Sequence, residues 1–204
     1  MEEQHDQKRL SKLPPQRRGR APVVIAFHGT GGDEHQFVGL IDQILPNAGI
    51  VAPRGDVSEF GANRFFRRTG EGVYDMDDLR LRTKKMLEFV RDVRNQNAGR
   101  EIYALGYSNG ANILASMLFE EPGLFDRAAM MHPLIPWTPE PQPALSGKRV
   151  LITAGQSDPI SPLKLSQGLI DWFLAQGANV EAKIAPGGHE IRPAELESLR
   201  NFLQ

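Results

Sequence analysis

The chain has 204 residues, a length that favours one domain. Hydrophobic residues make up 40% and charged residues 24%, and the formal net charge of -1 gives no electrostatic reason to expect nucleic acid or an anionic membrane as partner. There are no cysteines, which removes disulfides, thiolate nucleophiles and cysteine metal sites from consideration.

Residues 1–20 carry Lys8, Arg9, Lys12, Arg17, Arg18 and Arg20, with only Leu10 and Leu13 as larger aliphatics after Met1. That composition reads as a flexible basic tail, followed by one domain over residues 21–204. The start of the chain is charged from Glu2 and lacks the apolar stretch of a signal peptide. No apolar run approaches the ~18 residues of a transmembrane helix. A cytoplasmic protein without stable membrane insertion is the expectation.

Val23-Val24-Ile25-Ala26-Phe27 is short, rich in β-branched residues and apolar on both faces, as a buried parallel strand is. Glycine follows at once in His28-Gly29-Thr30-Gly31-Gly32. Phe37, Leu40, Ile41, Ile44 and Leu45 then recur at helical spacing, and Pro46 stops the helix. Ile50-Val51-Ala52 predicts a second strand. Residues 56–75 read as a long loop. Leu79, Thr83, Met86, Leu87, Val90 and Val93 form the stripe of a long helix. Further strands are predicted at 102–105, 128–131, 150–154 and 180–185, and helices after Ser108, over 163–175 and over 194–203. Strand and helix alternate without an internal repeat. This predicts an α/β domain with a mostly parallel sheet of about six to seven strands and helices on both faces. Ligands in such folds bind at the carboxyl ends of the strands.

One such end carries Gly106-Tyr107-Ser108-Asn109-Gly110, a G-x-S-x-G pattern between a predicted strand and a predicted helix. Small residues two before and two after the serine let strand and helix pack closely, and the sharp turn lifts the hydroxyl off the sheet. Ser108 is the candidate nucleophile, against the alternative of a glycine-bounded turn with an incidental serine. A serine needs an adjacent base. In this arrangement the order is serine, acid, histidine, and His189 follows Ser108 with both a strand and an acid between them. His132 follows the serine by one strand only, with no strand left to carry the acid. Asp158, just after the strand at 150–154, is the candidate acid that holds His189 in its working tautomer. An aspartate before Pro159 is also a common turn former.

The loop 28–32 lacks the lysine-containing ending of a phosphate-binding P-loop. In a hydrolase it would supply one backbone N–H to an oxyanion hole, from Thr30, with Asn109 supplying the other. His28 reads as a structural hydrogen-bonder. The expected chemistry needs no cofactor and no metal.

His28-Gly29-Thr30-Gly31-Gly32, Arg64-Phe65-Phe66-Arg67-Arg68, Gly70-Glu71-Gly72-Val73-Tyr74-Asp75, Gly106-Tyr107-Ser108-Asn109-Gly110-Ala111-Asn112, His132-Pro133-Leu134-Ile135-Pro136 and Gly187-Gly188-His189 together resemble the phospholipase/carboxylesterase family, in its MhqD-like branch. The resemblance covers roughly residues 22–204. It implies an α/β-hydrolase fold, hydrolysis of small acyl or aryl esters, a triad on Ser108, Asp158 and His189, and oxyanion donors at Thr30 and Asn109. The branch is associated with quinone and hydroquinone stress, which implies an aromatic ring-cleavage product as substrate.

Residues 132–149 are too few for a cap domain, so an open cleft is expected, with Leu134, Ile135 and Trp137 on one wall. Phe65 and Phe66 are further candidates for the pocket, with an arginine of the same loop attracting an acidic substrate. The preferred alternative has Arg64, Arg67 and Arg68 paired with Glu71, Asp75, Asp77 and Asp78 to pin the loop. Three functions stay open: a carboxylesterase on a small-molecule ester, a hydrolase of a thioester, lactone or C–C bond, and a non-catalytic binding protein of the same fold. Monomer and homodimer also both stay open.

Overall fold

The computed structural model describes residues 9–12 and 21–204. Eleven strands alternate with five helices among them. β1 (Arg9–Lys12), β2 (Val23–Phe27) and β3 (Gly49–Pro53) come first, with α1 (Val38–Ile44) crossing between β2 and β3. Two hairpins follow, β4 (Val57–Glu59) with β5 (Ala62–Arg64), and β6 (Arg68–Gly70) with β7 (Val73–Tyr74). Then come α2 (Met76–Gln96), β8 (Ile102–Tyr107), α3 (Asn109–Glu120), β9 (Arg127–Met131), β10 (Arg149–Gly155), α4 (Leu163–Ala175), β11 (Asn179–Ala185) and α5 (Pro193–Leu203).

Seven of the strands form one sheet in the order β1-β3-β2-β8-β9-β10-β11. All neighbours are parallel except β1, which runs antiparallel along the edge of β3. Residues 9–12, which composition places in a basic tail, thus form an edge strand, whereas residues 1–8 and 13–20 lie outside the described residues. The loop expected over 56–75 instead holds both small hairpins, whose strands of two or three residues are too short for hydrophobic periodicity to betray.

Every residue of β2 and β3 is buried, and each face meets different helices. Val23, Ile25 and Phe27 pack with Leu79, Met86, Ile113 and Phe173 under α2, α3 and α4. Val24 and Ala26 pack with Ile41, Ile44, Leu199 and Phe202 under α1 and α5. Burial on both faces is why these strands read as continuous apolar runs rather than alternating ones. Helix α2 begins where the Asp75 carboxylate accepts the N–H of Asp78 at 3.0 Å, satisfying an otherwise unpaired donor of the first turn.

The strand order reverses between β2 and β8: the chain moves from β2 outward to β3, then crosses back to β8 on the far side of β2. The crevice at such a reversal opens beyond the carboxyl ends of the two strands. Phe27 pairs with Gly106 there, so the loop 28–32 and the turn at Ser108 emerge side by side. The segment between β9 and β10 contains only one turn of 3-10 helix, Pro143–Leu145, and no cap domain stands over the sheet among the described residues.

Candidate active site

Ser108 joins β8 to α3 at φ 51°, one of three non-glycine residues with positive φ among the described ones. A strained backbone at a strand–helix junction costs of order 1–3 kcal/mol and must be held by its surroundings. The Ser108 N–H donates to Met131 O at 2.9 Å, and its carbonyl accepts from Asn112 N at 2.9 Å. Both flanking glycines are required by contact. A Cβ on Gly106 would lie 2.5 Å from Gly110 O, and one on Gly110 would lie 2.2 Å from Phe27 O.

His189, in the loop after β11, places Nε2 2.8 Å from Ser108 Oγ. Its Nδ1 lies 2.7 Å from Asp158 Oδ2. The loop is held from a second direction by Tyr107, whose hydroxyl donates to the His189 backbone carbonyl at 2.7 Å. Asp158, in the loop after β10, accepts the N–H groups of Ile160 and Ser161 on Oδ1, both at 2.8 Å. Its side chain is fully buried. Burial pushes its pKa up, but the Ser161 N–H, the two histidines His132 and His189, and the Ile160 N–H outweigh this and hold it below its ordinary value. The structure therefore brings Ser108, Asp158 and His189 together from three loops at the carboxyl edge of the sheet.

Thr30 and Asn109 border the same cleft as Ser108 and His189. Both are tied to the first hairpin: Arg64 Nη1 donates to Thr30 Oγ1 at 2.8 Å, and Phe65 N–H donates to Asn109 Oδ1 at 2.7 Å. His28 links loops. Its Nε2 accepts the Gly55 N–H at 2.9 Å, which leaves Nδ1 to donate to Gly29 O at 2.7 Å, and burial lowers its pKa.

The cleft has a volume of about 270 Å³. Leu134 lines it, as its sequence position suggests, but the other four expected wall residues do not. Phe65 and Phe66 are drawn into the core, where Phe65 packs edge-on against Phe27 and Phe66 packs against Tyr74. Ile135 and Trp137 face a separate groove with Trp172. The Tyr74 ring separates the two sides: it borders the cleft and meets Trp137 edge-on at 5.9 Å. Tyr74 is itself fixed by a closed set of bonds. Its hydroxyl donates to Leu134 O at 2.7 Å and accepts from Asn112 Nδ2 at 2.8 Å, while Asn112 Oδ1 accepts the Leu134 N–H at 2.6 Å.

The arginine loop is pinned by ion pairs, with only some of the expected acidic partners. Arg68 pairs with Glu59 at 2.9 Å and with Glu71 at 2.8 Å, and Arg67 lies 3.6 Å from Asp78. Asp75 caps α2 instead, and Asp77 pairs with Arg80. Arg64 and Arg68 also border the cleft.

Two further residues stand at the site: His132 at the end of β9, which chain order sets aside as the base, and Glu195 in α5, which the sequence does not single out. His132 Nδ1 lies 3.0 Å from the same Asp158 Oδ2 that His189 contacts, and His132 Nε2 lies 2.8 Å from Glu195 Oε1. The signals for His132 are its placement directly after a buried strand and its position in the motif 132–136. Nothing local marks Glu195, whose other carboxylate oxygen caps α5 by accepting the Arg192 N–H at 2.8 Å. The donor atoms of His132, Asp158 and His189 lie within 4.8 Å of one another, but the nitrogen-to-oxygen spacings of 2.7 and 3.0 Å are those of shared protons.

An open, mostly parallel sheet flanked by helices, with its cleft where the strand order reverses and a serine on the strand–helix turn, is an α/β-hydrolase. The chain belongs to the dienelactone hydrolase family, whose model matches residues 10–190. It is 38% identical to the putative hydrolase MhqD of Bacillus subtilis (strain 168) over 183 residues, 88% of this chain and 91% of that one. This agrees with the resemblance read from the motifs. Among solved structures, the carboxylesterase of Bacillus cereus superposes with a TM-score of 0.91 at 34% identity, covering 98% of this chain and 94% of that one. A protein of unknown function from Agrobacterium tumefaciens str. C58 superposes with a TM-score of 0.87 at 49% identity, over 95% and 94% of the two chains. This chain is a hydrolase of the dienelactone hydrolase and carboxylesterase type. No helix of the described residues is long and apolar enough to cross a membrane.

Proposed function

We propose that the protein is a serine carboxylesterase that hydrolyses small esters through an acyl-enzyme on Ser108. The observation that carries this reading is the continuous pair of contacts from Ser108 Oγ to His189 Nε2 at 2.8 Å and from His189 Nδ1 to Asp158 Oδ2 at 2.7 Å. Ser108 Oγ attacks the acyl carbon while its proton passes to His189 Nε2. The carbonyl oxygen, now an anion, is met by the backbone N–H groups of Thr30 and Asn109, each such donor contributing on the order of 10²–10³ in rate. His189 returns the proton to the departing alcohol. A water then repeats the attack with His189 again as base, and the acid and Ser108 are released. Asp158 keeps the Nδ1 proton on the ring and stabilises the imidazolium as it forms.

The 270 Å³ cleft favours a short acyl group. Its border of Arg64, Arg68, Glu71, Tyr74 and Asn112 favours a polar substrate over a long alkyl chain. A lactone is a second substrate reading, supported by the family to which the chain belongs. Water rather than a membrane surface is the expected setting of the reaction, in the cytoplasm, with no cofactor.

A fluorophosphonate probe with mass mapping tests the nucleophile. Labelling at Ser108 that disappears in Ser108→Ala is the expected result, and an unlabelled Ser108 in folded protein would overturn the reading. A panel of p-nitrophenyl esters of increasing chain length, with lactones and thioesters alongside, then sorts the substrate classes. The expected order is short esters above long ones.

A further inference from the structure

His132 is the second histidine against Asp158. Its side chain, and those of Asp158 and Glu195, are fully buried. Both ring nitrogens meet a carboxylate oxygen, Nδ1 at 3.0 Å from Asp158 Oδ2 and Nε2 at 2.8 Å from Glu195 Oε1. The backbone holds the ring there at φ 51°, with the His132 N–H donating to Thr153 O at 3.0 Å and the carbonyl accepting from Ser161 Oγ at 3.2 Å.

A neutral imidazole has one N–H and one lone pair. Placed between two carboxylates, it would leave a lone pair close beside a negatively charged oxygen in a site sealed from water. An imidazolium instead donates from Nδ1 to Asp158 and sets its positive charge 2.8 Å from Glu195 Oε1, an ion-pair contact whose angle is not that of an aligned hydrogen bond. It also compensates one of two buried carboxylates, each of which would be costly unpaired. The three groups then carry a summed charge of -1. The charged and titratable groups facing His132 are Asp158 from the loop after β10, Glu195 from α5, His189 from the loop after β11, and Tyr107 from the end of β8.

We propose that His132 stands as an imidazolium between Asp158 and Glu195 and is a positioning residue for Asp158, weakening that carboxylate as a proton acceptor so that the proton it shares with His189 stays on the His189 ring. This rests on the reading of Ser108, His189 and Asp158 as a triad. With Oδ1 holding two backbone N–H groups and Oδ2 holding two imidazoles, Asp158 has no freedom to turn. A carboxylate already bonded to a cation competes less for the Nδ1 proton of His189. His132 and Glu195 move no atom in the reaction; they set the orientation and basicity of the group that orients the base.

Two measurements test this. In histidine-ring ¹⁵N-labelled wild-type protein at neutral pH, with resonances assigned through the His132 contacts to the Tyr107 and His189 rings, His132 should show two protonated nitrogens. One protonated and one bare nitrogen would overturn the proposal without any variant. The His132→Gln/Glu195→Gln double variant replaces the ion pair by a neutral hydrogen-bonding pair, and the amide introduced by Glu195→Gln keeps an oxygen for the α5 cap. Its kcat on a short ester should fall about tenfold with KM nearly unchanged, and the acid limb of the kcat/KM profile should move up by about one pH unit, as loss of an opposite charge next to a carboxylate predicts. A folded variant with unchanged kcat and pH profile would reduce His132 and Glu195 to structural packing. Fluorophosphonate labelling of wild-type Ser108 keeps the two ideas apart. If it fails, the triad reading fails; if it succeeds while the variant behaves as wild type, only the present proposal does.

Discussion

Arg64 Nη1 donates to Thr30 Oγ1 across 34 residues of chain, at 2.8 Å, from a guanidinium that is 4% exposed. The next residue donates its N–H to Asn109 Oδ1. One short strand edge thus grips both residues whose backbone N–H groups are assigned to the oxyanion hole. Replacing Arg64 with Met should release Thr30 while Glu59 keeps its Arg68 partner. A small misplacement of an oxyanion donor costs rate, so kcat should fall on the order of tenfold to a hundredfold, with a smaller change in KM. Steady-state kinetics on a short ester measure both, and a pure KM effect would instead make Arg64 a substrate-binding group.

Asp158→Asn should cost on the order of 10⁴ in kcat, because an amide N–H presented to Nδ1 favours the wrong tautomer of His189. Circular dichroism should show the fold intact. A loss below tenfold would mean that another group orients His189.

Gly110→Ala should destabilise the protein by about 1–3 kcal/mol or more, since the new methyl meets the Phe27 carbonyl at 2.2 Å and neither backbone can retreat without moving β2 or α3. Urea titration gives the difference. A Gly99→Ala control, where a Cβ has open space but φ is +83°, reports strain alone.

Stability should depend on pH through the His132 cluster. Burial works against a charged His132, but Glu195 and Asp158 outweigh it and raise its pKa above 6.5. A raised group contributes fully below its unfolded value and loses that contribution as pH climbs through the folded one. Asp158 and Glu195 run the other way. Both sit below their ordinary values of 3.8 and 4.5 despite burial, so their contribution is present above those values and is lost as pH falls through the folded ones. Tm should therefore decline on the alkaline side above 6.5 and again in acid. Differential scanning fluorimetry across pH should show the alkaline decline flattened in the His132→Gln/Glu195→Gln variant. An equal decline in both proteins would contradict the pairing.

The chemistry that depends on near neighbours was legible in the sequence. Six strands of the sheet, the elbow at Ser108 and the order of Ser108, Asp158 and His189 are read from short runs rich in apolar residues, from glycines two places either side of a serine, and from the residue types in the loop after each strand. These are steric and burial rules acting over a few residues. What the tertiary structure decided is which side chains reach the cleft and which partners a buried charge finds. Phe65 and Phe66 turn inward because α2 and the sheet close over them, and the Tyr74 ring screens Trp137, so only Leu134 of the five expected wall residues meets the substrate space. Glu195 reaches His132 from α5, far along the chain, and no local pattern encodes that meeting. Periodicity reports whether a residue faces the core. It carries no record of which distant element fills the other half of a contact, and Asp158 takes its two imidazoles from loops that only the folded sheet brings together.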